Sequence, residues 1–262
     1  MRYGVFADVH GNLPALRAAI ATLQRAGVDR MLCLGDLVGY GPSPNECVAL
    51  VAETGAVCVA GNHDLIAVGR MGDERCGALA RTTMRWTREA LDDDATSYLS
   101  QLPLEARPHD AMLMTHGAPG DPERYLSTRD QAHQELAALA DDAPEIRLLL
   151  VGHTHLSMAC GLRDGLLLHR GSGQVALDED DRVLLNPGAV GQSRQLSARV
   201  RVLVLDVDQR MATFQASRYD AAATRRGLRR AGLPARSHHQ APSVRRALRA
   251  RAGRLAHAAR RA

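Results

Sequence analysis

Tyr3-Gly4-Val5-Phe6-Ala7-Asp8-Val9-His10-Gly11-Asn12 begins as an apolar run and ends in an acid, an imidazole and an amide. The run reads as a strand centred on Val5-Phe6-Ala7. Residues 13–26 then place Leu13, Leu16, Ala19, Ile20 and Leu23 at helical spacing, with Asn12 as a candidate N-cap and Gly27 as a stop. The alternation repeats downstream. Residues 31–34 read as a second strand, 44–53 as a helix behind Ser43, and 56–60 as a third strand. Strands separated by helices of this length predict βαβ units and a parallel sheet core.

Residues 65–107 carry no strand signal and read as mostly helical, a lid or insertion. Short buried strands are expected at 111–115 and 147–151, flanking a helix near 129–140. From residue 166 the pattern turns β-rich, with segments at 166–169, 174–177, 183–185, 200–205 and 212–216, before a last helix at 221–231. At 262 residues the chain suits one large α/β domain rather than two. We assign residues 1–234 to that domain and 235–262 to a basic tail rich in arginine and alanine.

The charge is unevenly placed. Lysine is absent, and residues 218–262 hold thirteen arginines against the single acid Asp220, so the preceding body is net acidic. Arg225, Arg226, Arg229, Arg230, Arg245, Arg246, Arg249, Arg251, Arg254, Arg260 and Arg261 offer a polyanion such as nucleic acid a partner. Few aromatics interleave them, which disfavours stacking on single-stranded bases. The five cysteines are odd in number and lack C-x-x-C spacing, which suits reduced thiols and a cytoplasmic location. The start of the chain has no charged segment leading into a long apolar one, and no window approaches the ~18 apolar residues of a membrane span.

Five short motifs each follow a strand-like run: Asp8-Val9-His10, Gly35-Asp36, Gly61-Asn62-His63-Asp64, His116-Gly117 and Gly152-His153-Thr154-His155. In parallel α/β sheets, ligands collect beyond the carboxyl ends of strands, so these loops can converge on one point. If the segments stay extended, Asp8 with His10 and His153 with His155 each project to one side. Oxygen and imidazole donors together suit manganese, iron, zinc or nickel. The candidate ligands are Asp8, His10, Asp36, Asn62, His116, His153 and His155. That is too many for one tetrahedral ion; it suits two ions about 3.5–4 Å apart that share a carboxylate. Two divalent cations against two carboxylates leave a positive surplus, which favours an anionic substrate.

The ordered set D-x-H, GD, GNHD, H and GHTH resembles the calcineurin-like metallophosphoesterase superfamily. Gly35-Asp36-Leu37-Val38-Gly39-Tyr40-Gly41 and Asn186-Pro187-Gly188-Ala189-Val190-Gly191-Gln192 are similar to its small bacterial branch, which includes phosphodiesterases. The resemblance implies a βα-sandwich of two mixed sheets flanked by helices. It implies one metal on Asp8, His10, Asp36 and His155, and a second on Asp36, Asn62, His116 and His153, with manganese first and nickel, iron, zinc or magnesium as alternatives. Hydrolysis of phosphodiesters or phosphomonoesters by in-line attack of a metal-bridging hydroxide follows from it, with His63 assisting the leaving group. Rival readings are a phosphoprotein phosphatase, a dinucleoside polyphosphatase and a non-catalytic metal-binding scaffold. Intact ligands and an intact His63 argue against the scaffold. Asn12 is a helix cap that could also touch phosphate.

Two departures stand out. Protein phosphatases of the superfamily extend the second motif as G-D-x-V-D-R-G, but Gly39 and Tyr40 occupy the last Asp and Arg places here. Small relatives often follow the late motif with Pro-Arg-Asp, whereas this chain reads Ser193-Arg194-Gln195.

Overall fold

A computed structural model describes residues 1–163, 165–168 and 172–240. The chain runs β1 (Arg2–Phe6), α1 (Leu13–Arg25), β2 (Arg30–Cys33), α2 (Pro44–Glu53), β3 (Val57–Cys58), α3 (Asn62–Ala67), α4 (Ala78–Ala90) and α5 (Asp93–Gln101). It continues through β4 (Glu105–His109), β5 (Met112–Thr115), α6 (Arg129–Asp142), β6 (Leu148–Leu150), β7 (Met158–Gly161) and β8 (Gly165–Leu168). Then come β9 (Gly173–Ala176), β10 (Val183–Asn186), β11 (Val200–Asp206), β12 (Met211–Ser217), α7 (Ala221–Arg230) and a 3-10 turn, Ala235–His238.

Two six-stranded sheets result among the described residues, ordered β3-β2-β1-β11-β12-β9 and β4-β5-β6-β10-β7-β8. Both are mixed. β1, β2 and β3 run parallel, as do β5, β6 and β10, while β11, β12 and β9 pair antiparallel, as do β7 and β8.

Alternation along β1 explains the layering. Tyr3, Val5 and Ala7 point between the sheets, where they meet Met112, Met114, Leu150, Leu203 and Phe214. Phe6 points the other way, into a core with Leu16, Leu23, Val48 and Leu99 under the helices. A third cluster packs α6 on the second sheet through Leu136, Leu139, Leu149 and Leu184. Buried on both faces, the central strands are continuous apolar runs.

The expected helical stretch at 65–107 is corrected at its end, because residues 105–107 begin strand β4. Within it α5 adds Ala95 and Leu99 to the main core, while α4 uses Ala80 and Met84 to join Tyr40 and Ile66 in a small separate cluster beside the loops after β2 and β3. On α7 the arginines Arg225, Arg226, Arg229 and Arg230 are exposed. The other tail arginines named above, from Arg245 onward, lie outside the described residues. No helix among the described residues is long and apolar enough to cross a membrane.

Candidate metal centre

The loops after β1, β2, β5, β6 and β10 lie side by side, laced by backbone hydrogen bonds. Asp8 N–H donates to Gly35 O (3.0 Å), His10 N–H to Asp36 O (2.9 Å) and Gly152 N–H to His116 O (2.8 Å). Gly191 N–H donates to Asp8 O at 2.8 Å. Asp64 ties the loop after β2 to the one after β3, since one oxygen accepts from Leu37 N–H and Val38 N–H and the other from Gly61 N–H. Its role as an anchor was not read from the sequence, although it closes the Gly61-Asn62-His63-Asp64 motif.

All seven candidate ligands and His63 are buried. Asp8, His10, Asp36 and His155 form one group of donor atoms lying within 4.8 Å of one another, and Asp36, His116 and His153 form another. Asp36 belongs to both. His155 Nε2 lies 3.3 Å from Asp8 Oδ1, His116 Nε2 3.2 Å from Asp36 Oδ2, and His10 Nε2 3.2 Å from His155 Nε2.

The imidazoles are oriented from behind. A carbonyl can only accept, so Nδ1 carries the proton in His10 (to Val38 O, 3.0 Å), His116 (to Leu34 O, 2.6 Å) and His155 (to Gln192 O, 2.5 Å). His153 is reversed, with Nε2–H on Glu123 O at 3.0 Å. Fixing one nitrogen this way leaves the other aimed at the site, an arrangement common behind metal ligands.

The backbone supplies a correction. Asp8-His10 and His153-His155 are not extended pairs: Asp8, His10, Asp36, His153 and His155 all adopt positive φ, between 50° and 60°. Alternate left-handed residues, not strand pleating, turn the paired side chains inward. Non-glycine residues pay about 1–2 kcal/mol each for that region, so the surrounding hydrogen bonds must hold them there.

Charge is finely divided. Burial opposes ionisation of Asp36, yet His116, His63 and His10 outweigh it and hold the carboxyl well below the usual range. Burial pushes Asp8 up to about 7. Burial also works against a charged His116, but Asp36 beside it wins and raises the imidazole to about 9. It takes His153 down to about 3, and His10 and His155 well below their ordinary value. Two carboxylates thus face several unprotonated ring nitrogens. Both oxygens of Asp8 and Asn62 Oδ1 have no hydrogen-bond partner among the described residues. Buried acceptors left unpaired are costly, and a cation satisfies them. The donor set fits a dinuclear metal centre.

Family comparison agrees with this geometry. The calcineurin-like phosphoesterase superfamily domain matches residues 1–210. The chain belongs to the calcineurin-like phosphoesterase superfamily. A metallophosphoesterase from Sphaerobacter thermophilus is 32% identical, with a TM-score of 0.77 over 89% of this chain and 95% of that one. A hypothetical protein from Pyrococcus horikoshii, 18% identical, shares the fold with a TM-score of 0.71 over 89% of this chain and 94% of its own. An uncharacterized protein of Methanocaldococcus jannaschii is 33% identical over 193 residues, which are 72% of this chain and 76% of the relative.

Against the protein-phosphatase pattern of this superfamily, Gly39 and Tyr40 now have a physical account. Tyr40 packs against both His10 and His63, ring centroids 4.8 Å apart in each case. Gly39 sits at φ +85°, and a Cβ there would overlap His63 Nδ1. A side chain at position 39 has no room behind this histidine. Gly39→Ala is therefore expected to displace His63 and lower phosphoesterase turnover about 100-fold, as a misplacement near 1 Å can. Metal content, measured by elemental analysis, should stay at the wild-type level.

Beside the donors lies a cavity of about 520 Å³. Asp36, Asn62, His63, His153 and His155 open onto it. So do Tyr40, Arg75, Arg124, Tyr125 and Arg194, none of which was singled out as a site residue from the sequence. Arg194 donates from Nη1 to Tyr125 Oη at 3.0 Å and from Nε to Gln192 Oε1 at 3.3 Å. The family's Pro-Arg-Asp pattern was the available signal, weakened here because only the arginine is kept. Asn12 lies apart from this cavity. Its Nδ2 donates to Gly191 O (2.8 Å), and its Oδ1 accepts from Thr224 Oγ1 (2.7 Å) and Ala15 N–H (3.3 Å), so it caps α1 and joins it to α7.

Proposed function

We propose that the chain is a phosphodiesterase dependent on two divalent cations. Asp8, His10, Asp36 and His155 would hold one ion, and Asp36, Asn62, His116 and His153 the other. The observation that carries this reading is the membership of Asp36 in both donor groups. Mixed oxygen and imidazole donors favour manganese, with nickel, iron, zinc or magnesium as alternatives. Such ions, when bound, supply Lewis-acid stabilisation of phosphoryl charge and acidify water.

The chain's own residues do the rest. Arg194 offers its guanidinium to phosphate oxygens from the cavity wall, a geometry suited to two parallel hydrogen bonds. His63 faces the same space, and the backbone N–H of this residue donates to Asp36 Oδ1 at 2.9 Å, which fixes the start of its helix. Burial lowers the basicity of its imidazole. We assign it donation of an N–H, or of a proton, to the leaving oxygen. Tyr40 holds the ring in place.

Five buried free cysteines support a reducing, cytoplasmic setting. We keep 1–234 as the phosphoesterase domain and 235–262 as its basic extension.

The test is hydrolysis of bis-p-nitrophenyl phosphate against p-nitrophenyl phosphate by metal-stripped protein given Mn²⁺, Ni²⁺, Zn²⁺ or Mg²⁺. Metal-dependent turnover favouring the diester is expected. Preference for the monoester would replace this reading with a phosphatase. No turnover of either, with two ions bound, would favour the scaffold.

A further inference from the structure

The loop carrying Arg194 is held from outside by the far end of the described chain. After α7, the 3-10 turn Ala235–His238 buries Ser237 completely. His239 then pairs with Ser193 in an isolated parallel bridge, and Gln240 N–H donates to Ser193 O at 2.9 Å. His239 Nε2–H donates to Gln195 O at 2.9 Å. The residues on either side of Arg194 are thus both bound by the same short segment. Within the loop, Ser193 Oγ donates to Ser197 O (2.9 Å) and accepts from Gln195 N–H (3.2 Å), so the turn is braced internally as well.

This attachment is placed where it matters for ligand binding. Gln192, one residue before the bridge, offers its carbonyl to His155 Nδ1 and its side-chain oxygen to Arg194 Nε. Leu196, three residues after the bridge, is exposed at 64%, so solvent rather than core lies on that side of the loop. Gln192 and Ser193 at the root of the loop are buried, while Leu196 and Ser197 at its tip are exposed, so beyond Ser193 the loop is held mainly by its hydrogen bonds. A long arginine side chain binds an anion well only when little of its freedom is left to lose.

We propose that His239 and Gln240 form a strap that sets the position of Arg194, making them positioning residues for the phosphoryl group of the substrate. The idea rests on the phosphodiesterase reading above, in which Arg194 meets phosphate. Without the strap, the loop samples other conformations and the guanidinium is aligned only part of the time. Binding of a phosphate anion then weakens in proportion to the lost population, while metal binding and the His63 step keep their geometry.

The experiment uses the full-length, Mn²⁺-loaded protein. Gln240→Pro removes the N–H that reaches Ser193, and His239→Ala removes the contact to Gln195. Each is made in the wild type and in an Arg194→Ala background. Binding of inorganic phosphate is measured by calorimetry, and KM and kcat with bis-p-nitrophenyl phosphate. Each strap variant is expected to weaken phosphate binding and raise KM by about 10-fold with kcat nearly unchanged. In the Arg194→Ala background the same substitutions should add nothing, because the residue they position is gone.

An equal, additive loss in that background would overturn the strap and indicate general loosening. So would unchanged phosphate binding in both strap variants while Arg194→Ala alone weakens it. If the wild type neither binds phosphate nor cleaves either ester, the phosphodiesterase reading itself has failed, and the strap falls with it.

Discussion

Asp36→Asn is expected to remove both ions from the site and to lower turnover by about a thousandfold. The carboxylate is the one donor shared by both groups, with Oδ2 3.2 Å from His116 Nε2 and 3.5 Å from His10 Nε2. An amide keeps the volume and one acceptor oxygen but deletes the charge that three imidazoles are arranged around. It also places an N–H₂, which donates and cannot ligate a cation, where a carboxylate oxygen faced the ring nitrogens. Losing several kcal/mol of transition-state charge stabilisation corresponds to roughly 10³ in rate. Elemental analysis should find fewer than one ion per chain. The stabilisation that Mn²⁺ gives the wild type, about 2.7 kcal/mol at a hundred times Kd, should vanish from thermal unfolding curves. Two full-occupancy ions in the variant would remove Asp36 as the bridge.

His63→Ala should behave in the opposite way toward the metal. The imidazole belongs to neither donor group, and its Nδ1 has no hydrogen-bond partner among the described residues. Deleting it leaves Asp36, Asn62 and His116 in place, so both ions and the metal-induced rise in unfolding temperature should persist. Turnover should fall by 10²–10⁴, the usual scale for a positioned proton donor. The loss should be smaller for substrates with good leaving groups, such as p-nitrophenolate, than for alkyl esters, which need the proton more. A uniform loss across leaving groups would assign His63 to charge stabilisation on the phosphoryl oxygens. Full activity would remove it from the mechanism.

Much of this was legible in the sequence because the chemistry sits at strand ends. Apolar runs such as Val5-Phe6-Ala7 and Leu148-Leu149-Leu150 announced the strands, and the motifs followed them directly. What escaped lacked such signals. β4 alternates exposed and half-buried residues around Pro108, so it reads as an edge without a hydrophobic face. β7, Met158-Ala159-Cys160-Gly161, has no β-branched residue and ends in glycine, yet it is buried throughout because Ala159 packs into the core between the sheets and Met158 and Cys160 into the cluster under α6. The left-handed backbone at the ligands was invisible because aspartate and histidine rarely adopt it unless the surroundings insist. The cavity wall was invisible for a different reason. Arg75, Arg124 and Tyr125 come from loops whose meeting point is set by tertiary packing alone.

That left-handed backbone has a consequence for how such a protein ages under mutation. Glycine, and to a lesser degree asparagine, occupies those angles cheaply. Replacing Asp8, His10, Asp36, His153 or His155 by glycine relieves local strain; at Asp8 it also deletes a carboxyl that burial penalises, whereas at Asp36 it removes a charge that His116, His63 and His10 stabilise. At Asp8 above all, the metal-free fold therefore has a downhill step that runs through its candidate metal centre. A laboratory selection that rewards heat tolerance alone, in metal-poor medium, would dismantle catalysis before it touched the core. Descendants that escape the need for chemistry would carry glycine or asparagine first at the strained candidate ligands whose side chains the fold does not otherwise use.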